Sequence, residues 1–219
     1  MTVVVDARAD RVRAVARAAA ALGAGRLVVL PTDTVYGVAG DAFNPAATAR
    51  IFLAKARSRS SPLAVLVHSS AQLDAVAAEV PPAAARLIGA YWPGPLTIVF
   101  EARETLAWDL GDTAGTVAVR MPHDEVALEI IRAVGPLAVT SANRSGEPAA
   151  HDIVAAQAAL GEHVEVYVDD GPRHGAAPST VVDITRGEPL LLREGDLAAD
   201  EVVAVARGEG TGPDPSPNG

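Results

Sequence analysis

Along this chain, short apolar runs closed by Gly, Pro or small polar residues alternate with longer stretches in which apolar positions recur every three or four residues. That alternation of strand-like and helix-like periods predicts an α/β protein. Thr2 to Val5 reads as a β-branched edge strand. From Ala9 to Leu22, Val12, Val15, Ala16, Ala19 and Leu22 recur at helical spacing until Gly23 stops the helix. Arg26 to Leu30 is a buried strand ended by Pro31. Asn44 as N-cap and Pro45 at the first helical position start a helix that runs to about Lys55. Leu63 to Val67 is the next buried strand, so the opening reads as strand, polar loop, helix, basic loop, strand, in the manner of a βαβ unit. Ser69 with Gln72 has the capping-box spacing ahead of an Ala-rich helix, and Pro81-Pro82 starts another that ends near Gly89.

The second half continues the pattern. Leu96 to Phe100 and Thr116 to Arg120 read as strands, the latter delivering Arg120 to a strand end before Pro122. Asp124 and Glu125 open a helix whose last turn holds Arg132 and which Gly135 ends, in accord with the helix dipole. Gly135 to Val139 leads into a strand, His151-Asp152 precede a helix over Ile153 to Leu160, and Val164 to Asp169 is a strand. Gly171 to Pro178 is too rich in Gly and Pro to be regular. Val181 to Ile184 and Glu188 to Leu192 are strands, Leu197 to Val205 is a last helix, and residues from Gly208 on read as a disordered tail. The expected division is therefore a folded domain over residues 1–207 and a tail over 208–219.

Composition narrows the chemistry. A length of 219 residues suits one domain, and 49% hydrophobic residues can bury a substantial core. The absence of cysteine excludes disulfides, thiolate zinc sites and a cysteine nucleophile. A net charge of −9 argues against loose, charge-driven adhesion to nucleic acid or anionic lipid. No apolar run reaches the length of a membrane span and the N-terminus lacks a signal-peptide layout, which places the expected location in the cytoplasm. The five histidines have no ligand spacing, so no protein-held metal is expected.

Against this background one residue stands apart. Of the 18 basic residues only Lys55 is lysine. An ammonium is a compact point charge and a guanidinium a wide planar fork, so a site fitted to one rejects the other. Lys55 and Arg57 flank the end of a helix, where residues two apart can converge on an anion, which points to phosphate; the alternative is a solvated helix end. The loop Pro31 to Gly37, at the carboxyl end of a buried strand, crowds Thr32, Asp33, Thr34 and Tyr36 together where open α/β sheets hold ligands, although an ordinary turn would look the same locally. The loop Thr140-Ser141-Ala142-Asn143, at another strand end, offers short uncharged donors to phosphate or ribose oxygens.

The stretches PTDTVYG at 31–37, the K-x-R of Lys55 and Arg57, Tyr91 to Thr97, Val119 to Pro122, Thr140 to Gly146 and Pro178 to Asp183 resemble, in order, the motifs of the YrdC-like threonylcarbamoyl-AMP synthases. The likeness runs from about Arg26 to Arg193. It implies the short, single-domain form with a twisted mixed β-sheet and flanking helices, the YrdC/RibB-like fold. It also implies synthesis of L-threonylcarbamoyl-AMP and pyrophosphate from L-threonine, bicarbonate or carbon dioxide, and ATP, which arrives with Mg²⁺. Transfer proteins that modify tRNA would then take the product, and no stable nucleic-acid binding or membrane attachment of this chain is implied. Carried over by position, Lys55 and Arg57 are catalytic and, with Ser61, Thr116, Ser141, Asn143 and Arg193, bind ATP. Thr32 or Thr34, Arg120, Ser141 and Ser179 bind threonine. Departures are Ser58 and Ser61 where many relatives have Pro and Asn, Leu66 where some have a threonine-binding His, and Ala149-Ala150 where Ser-Pro is common. Rival readings are a carbamoyl-adenylate-forming carbamoyltransferase and a non-catalytic RNA-binding module.

Overall fold

The computed structural model describes residues 2–174 and 177–210. Its ten strands are β1 (Val3–Asp6), β2 (Val28–Leu30), β3 (Gly37–Asp41), β4 (Ala64–Leu66), β5 (Leu96–Glu101), β6 (Thr116–Arg120), β7 (Leu137–Ser141), β8 (Val166–Asp169), β9 (Thr180–Asp183) and β10 (Leu190–Arg193). The helices are α1 (Arg11–Gly23), α2 (Pro45–Lys55), α3 (Leu73–Val76), α4 (Pro82–Tyr91), α5 (Glu125–Val134), α6 (Ile153–Leu160) and α7 (Ala199–Arg207). All ten strands join one sheet in the order β1-β8-β2-β3-β7-β4-β6-β5-β9-β10. It is mixed, with β1–β8, β2–β8, β4–β6 and β5–β9 parallel and the remaining neighbours antiparallel. Among the described residues no helix is long and apolar enough to cross a membrane.

Most helix starts follow from short polar side chains that accept from main-chain N–H groups the first turn leaves free. Asp10 accepts from Arg13, Asn44 from Ala46 and Ala47, Asp124 from Ala127, and Asp152 from Ala155. The expected capping box is only half made: Gln72 Oε1 accepts from the His68 N–H, Ser69 makes no side-chain cap, and a 3₁₀ turn and one turn of α3 replace the expected Ala-rich helix. Gly208 and Glu209, assigned above to the tail, instead close α7 by donating to Val205 O and Ala204 O. The rest of that tail, 211–219, lies outside the described residues.

The βαβ-like opening is corrected by β3. This strand lies between β2 and α2, pairs antiparallel with β2 and separates it from β7 and β4. Its two glycines hide it from a reading based on β-branched content. Gly37 is required there, because a Cβ would lie 2.9 Å from Val139 Cγ2 on β7.

Alternation along the strands divides the core in two. On one face Val38, Val65, Ile98, Val119 and Val182 pack under α2, α4, α6 and α7. On the other, α1 and α5 cover the part built from β1, β8, β2, β3 and β7, with Leu66 of β4 at its border. The buried side of α1 is the stripe Ala14, Ala18, Ala21 and Leu22, with Val15 beside it. That corrects the expected stripe: Val12 is 80% exposed and Ala16 faces solvent. Alanines let α1 lie close to α5, and Arg11 ties the two by pairing with Glu125 and, at 3.4 Å, Glu129.

Candidate functional site

Where α1 and α5 stop, the same sheet face stays open. Ala64, Leu66, Val99, Ala118 and Val181 form the apolar floor of a cleft of about 540 Å³, and polar side chains from strand ends and loops form its walls. Three guanidiniums, Arg57, Arg120 and Arg193, line it. An apolar floor with a few convergent polar groups is the usual form of a small-molecule site.

Arg120, at the end of β6, is 6% exposed and is held through three of its five N–H donors. Its Nε donates to Gly94 O at 2.9 Å, Nη1 to Thr34 Oγ1 at 3.0 Å and Nη2 to Asp33 Oδ1 at 2.5 Å. Asp33 also accepts from the His123 N–H, while its Oδ2 is buried without a partner. Asp33 thus aims Arg120. Sequence reasoning noticed this carboxylate but not that task, which depends on a contact 87 residues away. Thr32 serves the loop: its hydroxyl donates to Val35 O at 2.6 Å and accepts from the Thr34 and Val35 N–H groups. Thr34 is therefore the one of the pair whose hydroxyl meets Arg120. Tyr36, read above as part of this polar cluster, is fully buried away from the cleft; its hydroxyl donates to Gly171 O and its ring lies under Arg173. Burial pushes that phenol's pKa up.

Arg193 and Arg57 lie elsewhere on the cleft wall. Arg193 donates from Nε and Nη2 to Ser179 O at 3.0 and 2.7 Å and from Nη2 to Ser179 Oγ at 3.1 Å. Ser179 Oγ is in turn 2.8 Å from the hydroxyl of Thr97, a cleft residue to which the motif reading gave no ligand role. Gly195 permits this arrangement, since a Cβ there would fall 2.2 Å from Pro178 O. Arg57 donates to Ser61 O and Pro62 O at 2.7 and 3.2 Å. Among the described residues neither arginine has a carboxylate within ion-pair distance. Burial lowers the pKa of both, and Arg193 is lowered further by the charges of Arg120 and Arg57. Cations held close together without counterions attract an anion.

The expected site residues divide accordingly. Thr32, Thr34, Arg57, Thr116, Arg120, Ser141, Asn143, Ser179 and Arg193 all line the cleft. Lys55 and Ser61 do not. Ser61 is exposed and contributes its carbonyl to Arg57, not its hydroxyl to the cleft. Lys55 is 1% exposed, behind the turn that follows β7. Ala56 takes a left-handed conformation, φ 49°, at the end of α2, and it separates the inward lysine from Arg57 on the cleft. Among the described residues no three His, Asp or Glu side chains gather as a metal cage, and Glu147 is the carboxylate on the cleft lining.

Comparison with known proteins adds an independent line. A family model for Sua5/YciO/YrdC, described as "Telomere recombination", matches residues 20–195. A Mycobacterium leprae protein is 48% identical, the match covering 90% of this chain and 89% of that one. The threonylcarbamoyl-AMP synthase of Coxiella burnetii is 30% identical over 84% of this chain and 99% of its own. Among solved structures, Pyrococcus abyssi Sua5 complexed with L-threonine superposes with a TM-score of 0.86 at 36% identity. That match covers 94% of this chain and 60% of the P. abyssi chain. Escherichia coli YciO, at 21% identity and a TM-score of 0.81, shares the fold.

Proposed function

The chain belongs to the Sua5/YciO/YrdC family, and from that premise we propose that its cleft makes L-threonylcarbamoyl-AMP and pyrophosphate from L-threonine, bicarbonate or carbon dioxide, and ATP, as a nucleotidyltransferase. The observation that carries the proposal is a difference in anchoring among the cationic groups of one cleft. Arg120 is aimed by Asp33 and Thr34, whereas Arg57 and Arg193 are anchored only to neutral oxygens. A guanidinium fixed in one direction suits the carboxylate of an amino acid; a pair without counterions suits a polyphosphate.

The chemistry asks for positioning rather than for an enzyme nucleophile. The neutral amine of threonine adds to carbon dioxide and loses a proton to give a carbamate. A carbamate oxygen attacks the α-phosphorus of ATP, the bond to the β-phosphate oxygen breaks, and pyrophosphate leaves. Arg120 and Thr34 fix the amino acid, while Ser141, Ser179 and Thr97 offer hydroxyls along the same cleft. Arg57 and Arg193 hold the triphosphate and meet the charge that builds on the departing pyrophosphate. Mg²⁺ would enter with ATP, Glu147 being the carboxylate near enough to meet it, and would screen the phosphate charge. The apolar floor keeps water from the labile mixed anhydride. Proteins that transfer the threonylcarbamoyl group to tRNA would take up the product.

Pyrophosphate release by the purified chain tests this reading. With ATP, Mg²⁺ and bicarbonate present, release should require L-threonine and fall sharply with L-serine. Release that ignores the amino acid would remove threonine from the proposal.

A further inference from the structure

The single lysine, whose oddity in the sequence suggested a phosphate ligand, is placed differently by its surroundings. An ammonium has three N–H donors. Those of Lys55 meet Ser141 O at 2.6 Å, Asn143 Oδ1 at 3.1 Å and, very closely, Asn143 O. No donor is left for a phosphate oxygen. The main chain repeats the tie, because Ser145 N–H donates to Lys55 O at 2.9 Å. Asn143 is equally committed: its Oδ1 accepts from Lys55 and from Ser141 Oγ, and its Nδ2 donates to Arg144 O at 3.0 Å and Glu147 O at 2.5 Å.

We infer that Lys55 and Asn143 are positioning residues that brace the turn after β7, and that the ligand contacts of the K-x-R and S-x-N motifs belong to Arg57 and Ser141. The inference rests on the nucleotide reading above and sharpens it. It also explains why one lysine persists in a chain that otherwise uses arginine: three acceptors grouped around one point fit a tetrahedral ammonium, and a planar guanidinium could not reach all of them. The buried charge has no carboxylate partner, and burial, with Arg57 adding to it, pulls its pKa down to about 8. It thus lends positive potential to the turn without touching the ligand.

Hydrogen exchange of the ligand-free chain and MgATP titrations decide the matter together. In Lys55→Met, amides 142–147 should exchange at least tenfold faster than in the wild type, with α4 and α7 unchanged. ATP affinity should fall about tenfold in Lys55→Met and in Asn143→Ala, and the double variant should be no weaker than the worse single one. Lys55→Met with Arg57→Ala should instead lose affinity by the product of the two effects. Unchanged exchange in Lys55→Met, with additive losses for Lys55 and Asn143, would make Lys55 a direct ligand and overturn the inference. Should Lys55→Met not fold, Lys55→Gln carries the same comparison. A wild-type chain that fails to bind ATP would remove the nucleotide reading, while exchange of the ligand-free turn would still decide what Lys55 does.

Discussion

Two halves of one sheet face differ in a single respect. Over β8, β2, β3 and β7 the face is covered by α1 and α5, and its side chains belong to a closed apolar core. Over β6, β5 and β9 the same face, with equally small and apolar side chains such as Ala118 and Val99, is the cleft floor, and Ala64 and Leu66 on β4 form the border, packing against the covered core and also lining the cleft. Alanine does opposite work in the two places. In α1 it brings a helix close; on the floor it leaves room for a ligand. The charges follow the same division. Beside the covered half Arg173 pairs with Asp124 at 3.0 Å and Asp170 at 2.6 Å, whereas in the open half Arg57 and Arg193 have no such partner among the described residues. Arg120, on the cleft yet paired with Asp33 at 2.5 Å, stands between the two cases: its partner aims it, while Arg57 and Arg193 keep their charge for a ligand.

The largest way to break this contrast is to remove a cation from the open half. Arg193→Ala should lower turnover on the order of 10² to 10³, as loss of one preorganised donor does, while Arg132→Ala at the end of α5 should change it less than about twofold. Steady-state rates beside a thermal melt give the comparison. Equal losses in the two variants would erase the distinction.

Protonation provides a second, somewhat smaller effect. The folded chain lowers the pKa of Lys55 from 10.5 to about 8, so between those values the unfolded chain binds the extra proton. Stability from this group therefore rises with pH across that window, by about 3 kcal/mol at about 1.4 kcal/mol per unit. Urea midpoints of wild type and Lys55→Met at pH 7.5 and 10 should move apart in the wild type's favour. A gap that does not widen would mean that Lys55 is solvated.

The smallest effect addresses the alanines directly. Ala18→Leu, on the buried side of α1, should cost about 1 to 3 kcal/mol of stability through overpacking and leave turnover per folded molecule unchanged. Ala118→Leu, on the cleft floor, should do the reverse. Similar behaviour of the two would show that both alanines lie in ordinary core.

Much of this arrangement was legible in the sequence. The caps Asn44, Asp124 and Asp152 announce their helices because capping is local, and Arg120 arrives at a strand end because alternation along β6 requires it. What escaped depended on distant partners. β3 was missed because its glycines answer to distant neighbours, Gly37 to Val139 and Gly40 to Leu27 and Ala47, rather than to strand propensity. The α1 stripe was displaced because Ala14 and Ala18, not the larger Val12, face the sheet. Lys55 was noticed for its rarity, but the acceptors it meets lie 86 and 88 residues further on. Asp33 shows the same limit: it sits in the loop after β2, and its partner Arg120 comes from the end of β6.

The most direct test of the open half as a synthase site is a single turnover of the wild-type chain with ATP, Mg²⁺, L-threonine and ¹³C-bicarbonate, followed by mass spectrometry of the nucleotide products. The account predicts an adenylate heavier than AMP by the threonylcarbamoyl group and carrying one ¹³C in it. AMP alone, or an adenylate without the label, would contradict it.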